Sequence, residues 1–562
     1  MHGYNAHMAL LDELKKGITG DVSDASDERA KYAHDTSLFE RTPSLVVYPK
    51  DADDVSTLVR EVAKAKDAGE DVSVTARSAG TDMSGGPLTR GVVAVFTKYM
   101  NKVEQVHEAE GLVQGYAVTE PGAYYRDFEK ATLAKGLILP SYPASRSIAA
   151  MGGIVNNNSG GERTLLYGKT ERYVEEINVV LSDGSQTLFK ALGPDELAEK
   201  KKQQNLEGEI YRRMSDLIIK NRELIETRRP KVSKNSAGYA LWNVLDTENG
   251  TFNLAKLICG AQGTLALMTN AKLSLVKPKA HRAMLVIFLP SDHGHTKLEI
   301  LPEIVHKILP FNPESFESYD DHTLSLAVKF LPHMLMQMGP LRAVRLGFSF
   351  LPEVGLVLKG GVPKLILMAE FAEDTAEAAR EKAREAKETL AHLNLPMSIA
   401  RDERAAEKYW IVRRESFALL RKNLSGLYAA PFIDDFVVPP DSYPKFLPEL
   451  NTLLAKYDLL YTIAGHIGNG NFHIIPLMDL AKPETKKVIM ELSPLVYDLV
   501  IKYGGTTTGE HNDGMHFFPF GDDDDDDDEA DEPSAIDDTR LNSDELMAEV
   551  ERFLRAHGDR AS

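Results

Sequence analysis

The chain has 562 residues, of which 43% are hydrophobic and 27% charged, and its formal net charge is −19. This composition is typical of a globular protein and excludes a fibrous or intrinsically disordered chain, and the length predicts several domains. Much of the charge lies at the end, because residues 516–562 contain 17 acidic side chains against 4 arginines. Nowhere does the sequence show the basic patch that nucleic acid requires or a polybasic membrane helix.

No apolar run reaches the roughly 18 residues of a membrane-spanning helix. The first residues, MHGYNAHMALLDELKKG, lack the uninterrupted apolar segment of a signal peptide. We therefore expect a cytoplasmic protein and leave open a peripheral association with the inner face of the membrane. The single cysteine, Cys259, excludes an internal disulfide and an iron–sulfur cluster built from this chain alone.

Strand and helix patterns alternate in the first half of the chain. An amphipathic helix over 51–69 lies between the apolar strands SLVVYP and DVSVTAR. Further short strands follow, separated by glycine-rich loops and by a charged helical insertion near 194–228. We predict an N-terminal helical segment over 1–40 and one domain over 41–278.

A second pattern begins after residue 278. Strand AMLVIFL, a helix over 297–308 and strand SFESYD are followed by strand KLILMAEF, a helix over 374–392 and strand MSIARD. Two such β-α-β units predict a ferredoxin-like α+β domain over 279–515. Beyond it, seven consecutive aspartates repel one another and remain solvated, so residues 516–562 are predicted to be a largely disordered acidic tail.

Three glycine-rich loops adjoin apolar strands, at residues 76–86, 149–161 and 259–267. Glycine tolerates positive φ, so successive backbone N–H groups in such loops can converge on an anion. Each loop alone is more often a tight turn, whereas three together favour a phosphate-bearing ligand. No strand–helix junction contains Gly-x-Gly-x-x-Gly and no P-loop is present, so a Rossmann dinucleotide site is not predicted.

The segment AGHIGNGNFHII places His466 and His473 on either side of the dipeptide Asn469-Gly470. If that dipeptide forms a two-residue type I′ turn, His466 pairs directly with His473 and both imidazoles lie on one face. Opposed Cβ atoms are about 5 Å apart, so both rings could bind one metal ion at about 2.1 Å. The alternative is a pair of hydrogen-bonded core histidines.

Two further motifs offer charged side chains to the same site. In GEHNDG, Glu510 completes a two-histidine, one-carboxylate metal site and His511 is free to act as a base, provided that the chain turns there. In YWIVRRESF, Arg413 and Arg414 follow Trp410 at helical spacing, and a guanidinium can bind a substrate carboxylate through two hydrogen bonds. One of these arginines could equally form an internal salt bridge.

Together these motifs resemble a known family over about residues 10–515. The runs VTARSAGTDMSGG, MGGIVNNNSGG and GAQGTLALMTN resemble the PCMH-type FAD-binding domain of the vanillyl-alcohol oxidase superfamily. The runs WIVRRESF, GHIGNGNFH and GEHNDG resemble its D-lactate, D-2-hydroxyglutarate and glycolate dehydrogenase branch. The resemblance implies an FAD-binding domain over 41–278 and a substrate and metal domain over 279–515.

The resemblance also implies roles for single residues. Arg413 would bind the substrate carboxylate and His511 would act as the catalytic base, while His466, His473 and Glu510 would hold a divalent metal, zinc or manganese. The first two glycine loops would hold the FAD pyrophosphate, and the third would line the isoalloxazine. The FAD-binding residues so implied are Arg77, Ser78, Ala79, Gly80, Thr81, Gly85, Gly86, Pro140, Gly152, Gly153, Asn158, Gly160, Gly161, Gly260, Gly263 and Thr264.

The sequence departs from the family pattern at three places. Ala261-Gln262 stands where the family has Ser-Glu, next to the flavin. Ile433 is nearest to the position of a family lysine that contacts a distal substrate carboxylate. The aspartate run replaces a family helix and C-terminal ending that pack on the flavin.

We therefore expect FAD-dependent oxidation of a small D-2-hydroxy acid, such as D-lactate, glycolate or D-2-hydroxyglutarate, to its 2-oxo acid. The metal would chelate the substrate, His511 would take the hydroxyl proton, and hydride would pass to flavin N5. The FAD is expected to be non-covalent, because residues 76–86 contain no histidine. A separate acceptor would receive the electrons: a quinone, an electron-transfer flavoprotein, a cytochrome or an iron–sulfur partner. The sequence leaves open whether the protein forms a homodimer. The alternative functions are a metal-dependent hydrolase and a non-catalytic flavin-binding relative.

Overall fold

In a computed structural model of the protein, the described residues are 2–515 except 109–114, 293–294, 297, 322, 324–362, 401, 404 and 414–425. The predicted acidic tail, residues 516–562, and Arg414 lie outside the described residues. Helices are combined with parallel and antiparallel sheets, which confirms the predicted α+β class. Among the described residues, no helix is both long and apolar enough to cross a bilayer.

The first sheet has the strand order β1-β2-β4-β3, with β2, β4 and β3 parallel and β1 antiparallel to β2. Strands β2 and β4 are buried along their whole length, as expected for apolar runs in a parallel sheet. The Asp51 carboxylate accepts hydrogen bonds from the N–H groups of Asp53 and Asp54 and so begins α3 where the sequence predicts a helix. The elements are α1 (His2–Gly17), β1 (Asp21–Ser23), α2 (Ser26–Ala30), β2 (Leu45–Tyr48), α3 (Ala52–Asp67), β3 (Val74–Arg77) and β4 (Val92–Val95).

The second sheet is antiparallel, with the order β5-β6-β10-β7-β8-β9. The charged insertion forms α7, α8 and α9, and the buried ring of Tyr211 on α8 packs edge-on against Phe189 of the sheet, with 5.9 Å between centroids. The elements are β5 (Val103–His107), β6 (Tyr116–Thr119), α4 (Tyr125–Leu133), α5 (Met151–Asn156), α6 (Thr164–Tyr167), β7 (Val174–Val180), β8 (Gln186–Leu192), α7 (Pro194–Lys202), α8 (Leu206–Lys220), α9 (Arg222–Arg228), β9 (Phe252–Asn253), α10 (Ala255–Ile258) and β10 (Leu267–Ser274).

The third sheet has seven strands in the order β16-β11-β15-β14-β18-β19-β17. Its first four strands, with α11 between β11 and β14 and α12 between β15 and β16, form the predicted ferredoxin-like domain. A hairpin of β18 and β19 extends this sheet beside β14. The elements are β11 (His281–Leu289), β12 (Ser291–Asp292), β13 (His295–Thr296), α11 (Leu301–Ile308), β14 (Ser315–Asp320), β15 (Leu365–Glu373), α12 (Ala376–Thr389), β16 (Met397–Ala400), β17 (Tyr428–Ala429), α13 (Tyr443–Leu454), β18 (Leu460–His466), β19 (Asn471–Met478) and α14 (Pro483–Lys502).

The two faces of the third sheet are covered by different elements. Alternate residues of β11, such as Leu285 and Ile287, pack with the helices α11 and α12. The intervening residues, such as Met284 and Val286, pack with Trp410 of the helical residues 405–413. Because side chains alternate along a strand, this second face also receives charged residues of β14 and β15.

One such charged residue, Glu370 on β15, is buried and accepts a hydrogen bond from Trp410 Nε1 at 3.1 Å. Burial raises the pKa of Glu370 to about 7, and repulsion from Glu314 adds to this effect. The folded protein therefore keeps a proton that the unfolded chain loses above its ordinary pKa of 4.5. Stability must then fall as the pH rises from about 4.5 to about 7.

We predict that Glu370→Gln, which retains the acceptor for Trp410 without the charge, stabilises the fold at pH 8. The free energy of unfolding should rise by up to about 3 kcal/mol at pH 8, with little change at pH 4.5. Thermal melting of both proteins across this pH range provides the measurement. An equal change in melting temperature at every pH would show that the effect does not come from the proton on Glu370.

Candidate active site

The hairpin that holds the two histidines differs from the sequence prediction in its turn. Residues 467–469 form a short 3₁₀ turn and Gly470 has φ 75°, so the connection has four residues and not two. Consequently His466 lies opposite Asn471, and His473 lies opposite Ala464. The predicted type I′ turn and the direct pairing of His466 with His473 are therefore wrong.

Tertiary contacts explain the altered turn. Ser233 Oγ donates to the Asn469 carbonyl at 2.7 Å, and Tyr443 Oη donates to the Ile467 carbonyl at 2.9 Å. A Cβ at Gly470 would lie 2.0 Å from the Val438 carbonyl oxygen. The end of the hairpin is thus packed inside the protein, where these contacts outweigh the local preference of an Asn-Gly dipeptide.

Both imidazoles nevertheless lie on one face of the hairpin. The observed strand register differs from the predicted one by two residues, and an even difference keeps each side chain on the same face. The ring centroids of His466 and His473 are 5.3 Å apart. Glu510 Oε2 lies 3.5 Å from His466 Nε2 and 3.9 Å from His473 Nε2. Ligand atoms that share a tetrahedral ion at about 2.1 Å are about 3.4 Å from one another, so this donor set fits a divalent metal such as zinc or manganese.

Each of these two histidines has a buried carboxylate behind it. His466 Nδ1 donates to Glu317 Oε1 at 2.6 Å, and His473 Nδ1 donates to Asp434 Oδ1 at 3.1 Å. These bonds place the protons on Nδ1 and leave the Nε2 lone pairs facing Glu510. Burial, the largest single effect, lowers the pKa of His466, but the carboxylates of Glu317 and Glu510 together outweigh it, so the net shift is upward.

The turn that carries Glu510 and His511 is held by one carboxylate, that of Asp435. Its Oδ2 accepts the hydroxyl of Thr508 at 2.6 Å and the backbone N–H groups of Gly509, Glu510 and His511 at 3.0, 2.8 and 2.7 Å. The chain therefore turns here, as the sequence analysis required. Adjacent side chains, which would point apart on an extended strand, face the same site.

His511 lies beside His473, with 5.5 Å between ring centroids and 27° between ring planes. Its Nδ1 is 3.3 Å from Asp434 Oδ2. Burial lowers the pKa of His511, but the carboxylates of Asp435, Asp434 and Glu510 outweigh burial and raise it to about 10. This ring therefore holds its proton at neutral pH.

Arg413 lies next to the same histidine cluster. Its Nε is 3.3 Å from Glu317 Oε2, so the guanidinium is paired with the carboxylate that supports His466. An internal ion pair was one of the two roles left open by the sequence. Binding of a substrate carboxylate by the remaining guanidinium nitrogens stays a prediction.

Four residues of this cluster were not found by sequence reasoning: Lys234, Glu317, Asp434 and Asp435. Lys234 Nζ lies 2.5 Å from Glu510 Oε1, and Glu317 and Asp434 support the histidines. The sequence contains a signal for the acids, because Asp434 and Asp435 directly follow the apolar run AAPFI and Glu317 lies within the predicted strand SFESYD. For Lys234, in a polar segment 276 residues before Glu510, the sequence contains no such signal.

The structure brings the three glycine loops together. A Cβ at Gly152 would lie 2.5 Å from Ser78 Oγ, and Gly260 N donates to the Val155 carbonyl at 3.1 Å. Among the described residues, the backbone N–H groups of Ala79, Gly80 and Thr81 have no hydrogen-bond acceptor. These three consecutive donors fit a phosphate group.

Other expected FAD-binding groups are bonded within the protein. The N–H groups of Gly86 and of its neighbour Ser84 donate to Asp82 Oδ2, at 2.7 and 3.2 Å, so in this structure they converge on a carboxylate of the chain itself. The Arg77 guanidinium donates to the carbonyls of Tyr32 and His34. The Asn158 amide donates to Glu171 Oε2 at 2.7 Å. Among the other expected residues, Pro140 is buried and Thr264 Oγ1 donates to the Ala261 carbonyl at 2.6 Å.

The turn that follows Glu510 lies directly on these loops. Asn157 Nδ2 donates to the Glu510 carbonyl at 2.8 Å, and Asn512 Nδ2 donates to the Gly260 carbonyl at 3.2 Å. Met515 N donates to the Ser84 carbonyl at 2.7 Å. The candidate metal ligands therefore adjoin all three glycine loops.

Comparison with known proteins agrees with this arrangement. Residues 43–189 match the family described as FAD binding domain, and residues 282–532 match FAD linked oxidases, C-terminal domain. D-2-hydroxyglutarate dehydrogenase of Pseudomonas putida is 27% identical over 515 residues, covering 90% of this chain and 48% of the relative. The chain thus spans about half the length of the first curated relatives it matches.

Two shorter relatives are matched over most of their length. Glycolate oxidase subunit GlcD of Bacillus subtilis is 25% identical, covering 88% of this chain and 86% of the relative. D-lactate dehydrogenase of Archaeoglobus fulgidus is 24% identical, covering 90% of this chain and 91% of the relative.

Solved structures show the same fold at low sequence identity. A p-cresol methylhydroxylase structure has a TM-score of 0.63 and 16% identity, covering 98% of this chain and 95% of that protein. 4-Ethylphenol oxidase from Gulosibacter chungangensis has a TM-score of 0.59 and 16% identity, covering 90% of each chain. The chain therefore belongs to the FAD-linked oxidoreductases, with a PCMH-type FAD-binding domain followed by an FAD-linked oxidase C-terminal domain.

Proposed function

We propose that this enzyme oxidises a D-2-hydroxy acid to the corresponding 2-oxo acid with the help of a divalent metal ion. The observation that carries the proposal is the donor set of His466, His473 and Glu510 beside the glycine loops of the FAD-binding domain. The names of the relatives, which specify D-2-hydroxyglutarate, glycolate and D-lactate, support this substrate class. A hydrolase reading, in which those loops are only turns, does not account for the FAD-binding domain.

The proposed chemistry divides between the bound groups and the protein. A divalent ion would supply Lewis-acid polarisation of the substrate, and FAD would supply the hydride-accepting ring. His466, His473 and Glu510 would hold the ion, and Arg413 would orient the substrate carboxylate. His511, whose Nδ1 faces Asp434, accepts the hydroxyl proton at Nε2.

The charges around His511 bear on its role as the base. The carboxylates around His511 raise its pKa to about 10, which is too high for a base at neutral pH. A divalent ion bound to Glu510 would offset these carboxylates and lower the pKa of His511 toward the working pH. The metal ligands and the base are thus coupled through the electrostatics of one cluster.

The reaction also needs an electron acceptor outside the chain. With one cysteine the chain cannot build an iron–sulfur cluster alone, so we propose that a quinone, an electron-transfer flavoprotein, a cytochrome or an iron–sulfur partner reoxidises the flavin. We place the reaction in the cytoplasm, with the protein free or at the inner face of the membrane. The subunit arrangement is open, and a homodimer is compatible with this proposal.

The visible spectrum of the purified protein tests the proposed function. Anaerobic addition of a panel of D- and L-2-hydroxy acids should bleach the flavin absorption with at least one D isomer and with no L isomer. Flavin that no hydroxy acid reduces would contradict the proposal and favour a non-catalytic relative.

We predict that His466→Ala, His473→Ala and Glu510→Ala each remove one metal ligand. Metal content, measured by elemental analysis, should fall in each variant, and reduction of the flavin by hydroxy acid should slow by at least about a hundredfold. FAD content should survive, because the glycine loops remain intact. Wild-type protein that reacts at full rate after complete chelation would remove the metal from the mechanism.

His511→Ala is predicted to behave differently. The metal should be retained and the hydroxy acid should still bind, while the reductive step slows by about a hundred- to ten-thousandfold, as expected for loss of a general base. Stopped-flow measurement of flavin reduction at saturating substrate separates binding from this step. An unchanged limiting rate would exclude His511 as the base.

The FAD is predicted to be non-covalent. Among the described residues, Cys259 is the single cysteine, and its buried Sγ lies 3.3 Å from the Val155 carbonyl oxygen, with burial raising the pKa of the thiol. A neutral buried thiol is a poor nucleophile toward the flavin. Acid precipitation should release yellow cofactor into the supernatant, whereas a yellow pellet would show a covalent link.

A further inference from the structure

We propose that Lys234 is a positioning residue that holds Glu510 by one carboxylate oxygen and so presents only the other oxygen to the metal. This inference rests on the proposed function, because it concerns the same metal ligand. It adds a residue from the FAD-binding domain to a site whose proposed ligands all come from the C-terminal domain.

The two oxygens of Glu510 have separate partners. Oε1 lies 2.5 Å from Lys234 Nζ, and Oε2 faces His466 Nε2 at 3.5 Å and His473 Nε2 at 3.9 Å. The Lys234 side chain is 0% exposed, and its Nζ also donates to Asn471 Oδ1 at 3.3 Å. Water therefore does not screen this ion pair, and the carboxylate cannot rotate without breaking it.

A single ligand oxygen matters for substrate binding. A hydroxy acid that chelates through its hydroxyl and carboxylate needs two open positions on the metal, and a bidentate Glu510 would take one of them. The Lys234 ammonium also repels a divalent ion bound to the opposite oxygen. Lys234 therefore weakens metal binding while it keeps the metal accessible to substrate.

The backbone around Lys234 is fixed on both sides of the site. Ser233 Oγ donates to the Asn469 carbonyl at the end of the hairpin, and Ser236 N donates to the Thr508 carbonyl at 2.9 Å. Gly238 N donates to Asp513 Oδ2 at 2.8 Å. Residues 233–238 thus link the FAD-binding domain to both parts of the metal site, and Lys234 sets the position of Glu510 relative to that domain.

Lys169 provides a matched control. It is the other buried lysine beside this turn, and its Nζ donates to the Gly509 carbonyl at 2.9 Å, to the Asn235 carbonyl at 3.0 Å and to Ser236 Oγ. None of these partners is a proposed metal ligand. Lys169→Met removes the same charge from the same region, so it reports the general cost of losing a buried lysine.

The test compares Lys234→Met, Lys234→Gln and Lys169→Met with the wild-type FAD-containing protein. Zinc or manganese affinity is measured by competition with a chelator, and FAD content and melting temperature are recorded for each protein. Stopped-flow reduction by the best D-2-hydroxy acid gives the limiting rate and the substrate dependence.

Lys234→Met should bind the metal at least about tenfold more tightly, because the repulsive ammonium is gone. It should retain FAD, need more hydroxy acid for half-maximal reduction and show a limiting rate about a hundredfold lower, because Glu510 is no longer held in place. Lys234→Gln retains a donor to Oε1 without the charge, so its affinity should rise while part of the rate returns. Lys169→Met should raise metal affinity much less than Lys234→Met, because the Lys169 ammonium bonds to the Gly509 carbonyl and not to an oxygen of Glu510.

If Lys234 had a purely structural role, metal affinity would fall and FAD would be lost in both Lys234→Met and Lys169→Met. That result would overturn the proposal. Unchanged metal affinity or an unchanged limiting rate in Lys234→Met would also overturn the proposal. If Lys234→Met does not fold, unchanged metal affinity in Lys234→Gln would overturn it. Wild-type protein that binds no metal, or that no hydroxy acid reduces, contradicts the proposed function itself. If the wild-type protein binds the metal and is reduced by a hydroxy acid, but the variants behave in the same way, only the proposed role of Lys234 is overturned.

Discussion

The site depends on one buried carboxylate, that of Asp435. It accepts four hydrogen bonds from residues 508–511 and one from the side-chain amide of Asn471 at 2.9 Å. Asp435 itself has φ 68°, a left-handed conformation that costs about 1 kcal/mol, and charge-assisted hydrogen bonds of this number easily offset that cost. This interaction gives the turn its shape and lets Glu510 and His511 face the hairpin together.

The rest of the site is arranged around that turn. The hairpin supplies two histidines from one side, residues 233–238 supply a lysine from another, and the glycine loops form hydrogen bonds with the residues that follow the turn. Every carboxylate of the cluster lies within ion-pair distance of a histidine, a lysine or an arginine, as buried charge requires. The paired carboxylates are Glu317, Asp434, Asp435 and Glu510.

The sequence predicts the parts of this protein that depend on local pattern. Two β-α-β units are visible as alternating apolar strands and an Ala- and Glu-rich helix, and the ferredoxin-like strand order follows from them. The hairpin register is not predictable in this way, since Ser233 and Tyr443, distant in sequence, fix its turn. His466 and His473 still lie on the same face, as predicted, because a shift of two residues in strand register leaves every side chain on its original face. Lys234 was missed for a related reason: a contact across 276 residues leaves no trace in spacing.

The central claim is that Nε2 of His466, Nε2 of His473 and a single oxygen of Glu510 bind one metal ion beside the flavin. Anomalous X-ray diffraction from crystals of the FAD-bound protein, collected at the absorption edge of the metal found by elemental analysis, tests it most directly. The account predicts one anomalous peak about 2.1 Å from these three atoms. A peak held by Nδ1 atoms or by other residues, or no peak in protein that still oxidises a hydroxy acid, would contradict it.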